Sequence, residues 1–231
     1  MTNSIQSRPV SSSSDVNSLE FHLTQFLNKV WTSTIVKVLS VTNDGGVSTV
    51  GRVSIQPLVN QIDSAGNLLP HGAIHDAPYF RLAGGADAVI LDPKVGDIGV
   101  ALFASRDISV VKNEKRESAP GSARKFSASD AIYIGVVLNG PPSQYVRFSS
   151  AGIELVSPTK ISLQAPVVEV SSQDIILDGP LSQGAGSNAG DAHFTNKVTS
   201  DDDVVAGTVS LKTHTTSGVQ SGSGTSGPPV Q

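Results

Sequence analysis

Between residues 153 and 177 the chain repeats one small pattern. Ile153 and Leu155, Ile161 and Leu163, Val168 and Val170, and Ile175 and Leu177 are four apolar pairs at i and i+2, and successive pairs begin 8, 7 and 7 residues apart. That spacing puts both members of a pair on one face of a short strand. Ser157-Pro158, Ala165-Pro166, Ser171-Ser172 and Asp178-Gly179-Pro180 lie between the pairs and supply turns. A strand with two inward apolar residues buries too little to offset a backbone ordering cost of roughly 1–2 kcal/mol per residue. Such strands must therefore stack, each covering the last, as in solenoids and β-helices. Four rungs from one chain still leave a side uncovered. Three chains wound about a common axis would turn every pair inward, so the repeat predicts an intertwined homotrimer. An ordinary antiparallel meander would give the same alternation.

The rest of the chain also reads as all-β. Hydrophobic residues make up 38% but aromatics only 5%, so a core must come mainly from Val, Ile, Leu and Ala, which suit strands. The 22 glycines and 13 prolines break the chain too often for long helices. One helix is expected, because Leu19, Leu23, Phe26, Leu27 and Val30 follow helical spacing behind Ser14 or Asp15 as N-cap, ending near Trp31. Its apolar stripe packs either on its own domain or on a neighbouring subunit. Before it, residues 1–14 lack periodicity and are expected to be mobile or to order only against a partner.

From Thr32 the signals turn to strands. Ile35 to Val38, the Asn43-Asp44-Gly45-Gly46 turn and Val50 to Val59 read as a hairpin. Val89 to Leu91 and Ile98 to Phe103 read as another, around Asp92 to Asp97, and Ala131 to Leu138 as a last strand. Lys112 to Ser129 is apolar-poor and reads as a loop. Several short strands with a long insertion suit a small closed barrel of the OB type, although sequence alone does not separate it from a sandwich. Asn139-Gly140-Pro141-Pro142 marks its end, since two prolines cannot sit inside a sheet ladder. The division expected is a flexible N-terminus and helix at 1–31, an OB-fold domain at 32–140, a trimeric β-helix at 141–211 and an apex at 212–231.

Chemical motifs are sparse. There is no Cys, no phosphate-loop pattern, no nucleophile elbow and no His-Glu-x-x-His, so no catalytic residue is assigned. A net charge of −4 with thinly spread Lys and Arg predicts no nucleic-acid partner. The polar start lacks the pattern of a signal peptide, and synthesis in the cytoplasm is expected. His71 and His75 stand at i and i+4, but Pro70, Gly72 and Pro78 oppose a helix, so they read as loop histidines. Asp201-Asp202-Asp203 lacks calcium-loop spacing and reads as a solvated turn. His214 is the candidate metal ligand, because a threefold axis would bring three copies of its imidazole around one ion.

The stretch from Ser210 through Lys212-Thr213-His214 and the Ser/Gly/Thr run to Pro229 resembles the apex segment of the central spike proteins of contractile phage tails. Pro120 to Asp130, the Tyr133-Ile134-Gly135 run, Asn139 to Pro142, Gly152-Ile153 and Ser157-Pro158 resemble that family's passage from OB barrel to β-helix, and Pro93 to Asp97 with Arg106-Asp107-Ile108 fit its barrel. The resemblance spans most of residues 32–229. It implies a homotrimer at the baseplate tip of the virion, with an N-terminal OB collar on the tail hub and a triangular β-helix. The pointed end of that β-helix pierces the host outer membrane when the sheath contracts. It also implies an iron ion on the axis, held by a His-x-His pair from each chain. His214 matches the first of the pair, while Thr216 stands at the second, so three imidazoles replace six and the tip holds a different ion, a half-hydrated one or none. A receptor-binding tail fibre and a baseplate-associated cell-wall hydrolase are the alternative readings.

Overall fold

The computed structural model describes residues 14–63, 65–184, 186–188, 190–215 and 222. The chain divides into two compact units between Ile161 and Ser162. Residues 1–13 and, within the expected apex, residues 216–221 and 223–231 with Thr216 among them lie outside the described residues.

The first unit begins with helix α1, Asp15–Leu27. Ser14 caps it: its backbone is extended and its hydroxyl accepts the Asn17 N–H at 3.2 Å. The helix stops short of Trp31. Lys29 and Val30 N–H turn back to Phe26 and Leu27 carbonyls, and Trp31 N–H donates to the Phe126 carbonyl at 3.0 Å. The indole then packs edge-on against Phe103 and His71, each at 4.9 Å between ring centres. Attachment of Trp31 to the following domain thus overrides helical spacing.

Short strands follow. They are β1 Ser33–Val41, β2 Arg52–Pro57, β3 Gln61–Ile62, β4 Leu68–Leu69, β5 Ile74–Pro78, β6 Ala83–Gly84, β7 Asp87–Ala88 and β8 Ile98–Phe103. Helix α2 Ser109–Glu114 and a 3-10 turn at Ala128–Asp130 precede β9 Ala131–Val136. The segment from Lys112 read as loop therefore starts inside a helix, which Lys115 ends in a left-handed conformation. Val89 to Leu91 lies outside any strand, and β8 pairs instead with β1 and β9.

Five strands form one antiparallel sheet in the order β5-β2-β1-β8-β9. Three irregularities bend it, at Val38/Ser40 between β1 and β2, at Val53/Ile55 between β2 and β5, and at Val100/Ala101 between β8 and β9. At the second, His75 and Asp76 oppose Ser54 alone, and Asp76 takes φ +58°. The sheet curls into a half-barrel until Tyr79, just past β5, forms a parallel bridge with Tyr133 of β9, and Phe80 N–H reaches the Tyr133 carbonyl at 2.8 Å.

Alternation decides what goes inside. Val53, Ile55 and Pro57 of β2 are buried while Arg52, Ser54 and Gln56 are half-buried, and β8 buries Gly99, Ala101 and Phe103. Val53, Ile55, Ala101 and Phe103 form the core together with Val36, Val38, Ile74, Ala77, Tyr79, Ala131 and Tyr133. Gly99 sits where two backbones nearly touch. A Cβ there would lie 1.9 Å from the Gly135 carbonyl oxygen and 2.5 Å from Tyr133 Oη.

Beyond the sheet, β10 Tyr145–Ser149 and β11 Gly152–Val156 make a separate hairpin. The second unit contains, among its described residues, the hairpin of β12 Val205–Ala206 and β13 Val209–Ser210. The short strands expected at the apolar pairs form only in part. Ile153 and Leu155 belong to β11, whereas the pairs at 161, 168 and 175 belong to no strand. The first pair has β10 within its own chain to bond to, and the other three have no such neighbour. A trimeric β-helix is not what one chain displays.

Candidate functional site

The second unit turns its apolar residues outward. From Ser162 to Thr215 no described residue is buried. The eight members of the four pairs, three at the end of the first unit and five in the second, are exposed by between 52% at Ile161 and 71% at Leu163. The β10–β11 hairpin begins this series: Val146 opposes Leu155 and Phe148 opposes Ile153 on one face, all exposed, while Arg147 and Glu154 form a 2.6 Å ion pair on the other. Exposed Leu or Val singly is ordinary, whereas these exposed residues recur at even intervals through consecutive turns.

At the far end of the described residues, Asp203 builds the local structure around His214. Its carboxylate accepts the N–H groups of Val204 at 2.8 Å and Lys212 at 3.1 Å. The Ser210 hydroxyl, followed by these backbone donors, holds the Asp203 carboxyl below its ordinary range. The tight turn at Gly207, with φ +64°, closes the β12–β13 hairpin. One further turn carries the chain to His214, whose N–H donates to the Ser210 carbonyl at 2.9 Å. His214 Nδ1 then faces two backbone carbonyls, Ser210 at 3.1 Å and Leu211 at 3.2 Å. Both are acceptors, so the tautomer with the proton on Nδ1 suits this contact, and in that tautomer the lone pair lies on Nε2. Among the described residues no group of three or more His, Cys, Asp or Glu gathers within one chain. One imidazole per chain is what His214 offers.

His71 and His75 are each engaged within the first unit. His71 packs on Trp31, and its carbonyl accepts from Gln56 Nε2 at 2.6 Å, while His75 Nδ1 meets Ser54 Oγ at 3.0 Å. They share no ligand face. Of the aspartate run, Asp203 is structural and Asp202 lies 3.7 Å from Lys212 Nζ.

Two buried charge clusters hold the loops of the first unit to its sheet. Arg124 donates to Asp107 at 2.6 Å and to Asp130 at 2.7 and 2.8 Å. Asp107 also accepts from Ser122 Oγ at 2.7 Å and Ser109 N–H at 2.9 Å. The Ser109 and Ser122 hydroxyls, then the Ser109 N–H, bring its carboxyl down to about 2. Burial pushes Asp130 up, but Arg124 and the Ile108 N–H outweigh it and leave it lowered. In the second cluster Asp92 accepts from Arg81 at 2.5 Å and from Tyr79 Oη at 2.7 Å, and Arg81 also reaches the Ser48 carbonyl. Nothing in local periodicity marks these pairings. The available signal was negative: Asp107 and Asp130 are acids flanking an apolar-poor loop that also contains one arginine deep enough to reach both.

The chain leaves the half-barrel under control. Asn139 Nδ2 donates to Asp97 at 2.7 Å, and Asn139 Oδ1 accepts the Ile98 N–H at 3.0 Å. Beside this exit lies an open cleft of about 1050 Å³, walled by Phe80, Leu82, Leu91 and Pro141. No helix among the described residues is long and apolar enough to cross a membrane. Comparison with protein-family models gave no match, and a search of curated proteins gave none.

Proposed function

We propose that this chain is one of three identical subunits of a central tail spike, a force-bearing rod at the baseplate tip of a contractile phage. It is made in the host cytoplasm and driven through the host outer membrane when the sheath contracts. The observation that carries the reading is the evenly spaced apolar series from Ile153 to Leu177, uncovered in its own chain. Three copies winding around one axis cover it, with each two-residue rung finding its backbone partners on neighbouring chains. Bending such a rod breaks inter-chain hydrogen bonds and apolar contacts together, which gives stiffness along one direction.

The first unit supports the same reading. Its first three long strands, β1, β2 and β5, form a meander, and the last, β9, returns beside β5 in parallel through Tyr79 and Tyr133. That order supports an OB-type Greek-key barrel, here the collar that docks on the tail hub. It is built without enzymatic machinery in this reading.

The His214 geometry suits an axial metal. With Nδ1–H held by the Ser210 and Leu211 carbonyls, three Nε2 lone pairs are free to face one ion. Bound there, iron or a similar ion would tie the three chain ends together. Asp203 keeps each imidazole in place by fixing the hairpin beneath it.

Cryo-microscopy of the virion tests the assignment. The reading expects a threefold density of this chain at the baseplate tip, and its absence there would refute the spike. Metal analysis of the purified protein against His214→Ala separates out the apex: equal metal-free results would end the axial site and leave the rod standing.

A further inference from the structure

We infer that Arg52 and Lys112 form an oxyanion site on the side of the half-barrel sheet away from its core, suited to a small tetrahedral dianion such as hydrogen phosphate. Asp76 is the carboxylate that occupies it from within the chain. The inference uses the first unit alone and needs neither the homotrimer nor the spike.

Three elements meet there. Arg52 opens β2 and shares with Ser54 and Gln56 the positions that alternate with the buried ones. Lys112 comes from α2, and Asp76 from the bulge in β5. Both cations are held in place. Arg52 Nη2 donates to the Lys112 carbonyl at 3.4 Å, and Lys112 Nζ donates to the Asp76 carbonyl and to Asp76 Oδ2, each at 3.1 Å. The Arg52 and Lys112 side chains are 29% and 13% exposed, so both charges are largely sheltered from water.

Asp76 serves this pair poorly. A single oxygen, Oδ2, faces both cations, and it lies 3.7 Å from Arg52 Nη1, too far for a hydrogen bond. Arg52 Nη1 is nonetheless closed off from water and has no hydrogen-bond acceptor. A buried guanidinium N–H without an acceptor is costly, and any oxyanion that reaches it gains a charge-assisted bond. The Asp76 side chain is 65% exposed, so it can swing into water at little cost and leave two positive charges behind. A dianion matches those two charges. A tetrahedral one also gives each cation an oxygen of its own, which one shared carboxylate oxygen does not.

Asp76→Asn separates this site from an ordinary ion-pair network. Position 76 has φ +58°, a left-handed backbone that Asn adopts as readily as Asp, so the bulge is kept while the competing charge is removed. Inorganic phosphate is titrated into the full-length protein by calorimetry, at constant ionic strength and mildly alkaline pH. The expected result is binding about tenfold tighter in Asp76→Asn than in the unaltered chain, and about tenfold weaker in Arg52→Gln and in Lys112→Gln. Arg147→Gln, which removes a cation paired with Glu154 on the separate hairpin, should leave the affinity unchanged. Trp31 emission and circular dichroism check that each variant is folded, and the Asp76→Asn comparison alone decides if a cation variant is not. Phosphate binding that Asp76→Asn leaves unchanged or weakens overturns the site. So does equal binding by the unaltered chain and the two cation variants.

Discussion

The two units solve the same problem in opposite ways. In the half-barrel, each apolar residue at an alternating strand position finds cover in its own chain: Val53, Ile55, Ala101 and Tyr133 are 1% exposed or less. In the second unit the same i, i+2 alternation recurs, yet Leu163, Val170 and Leu177 stay exposed at 71%, 64% and 65%. The difference lies in the length between turns. Strands of six to nine residues such as β2, β8 and β1 can pair with distant strands and curl, whereas two-residue rungs every seven residues return the chain before a sheet can form. In the proposed trimer the remaining partners of these rungs lie in other chains.

The sharpest break in that contrast is a charge in the series. In the proposed trimer Val168→Asp would place three carboxylates together on the axis, and the expected outcome is complete loss of that trimer by sedimentation. Trp31 is the sole tryptophan and reports only on the first unit, so its emission should stay unchanged. Next in size is Ile55→Ala, which removes a fully buried side chain from the half-barrel. Denaturation followed by Trp31 should show a loss of about 2–5 kcal/mol. If the two substitutions had interchangeable effects, the contrast between the units would fail.

Acid sharpens it further. The Asp107 carboxyl lies at about 2 in the folded chain, below an ordinary Asp near 3.9 when unfolded. Stability from this group is therefore complete above roughly pH 4 and is lost as pH falls toward about 2, with Asp130 and Asp92 shifted in the same direction. Asp107→Asn should lower first-unit stability at neutral pH, and its deficit should shrink through that window in acid titration followed by Trp31. The smallest effect is at the helix cap: Ser14→Ala should cost about 1 kcal/mol, read as reduced helicity by circular dichroism.

Local chemistry made much of this legible in advance. The choice of Ser14 or Asp15 as cap, the β1–β2 hairpin around Asn43 to Gly46 and the alternation in β8 and β9 follow from residue type and spacing alone, and the structure decides the cap for Ser14. Features set by tertiary contact were not readable. Trp31 stops α1 early because the half-barrel takes its indole, and Arg124 joins Asp107 to Asp130 across a loop whose sequence shows only charge. Gly99 looks like a weak strand residue until Gly135 and Tyr133 are seen against it. For the candidate apex, His214 was legible as a possible ligand, but its tautomer depends on the Ser210 and Leu211 carbonyls, which a sequence does not place.

Sedimentation equilibrium of the full-length protein over a wide concentration range tests the central claim most directly. The account predicts a single species at three times 23.8 kDa, persisting to the lowest concentration measured. A species that stays at 23.8 kDa throughout would contradict it.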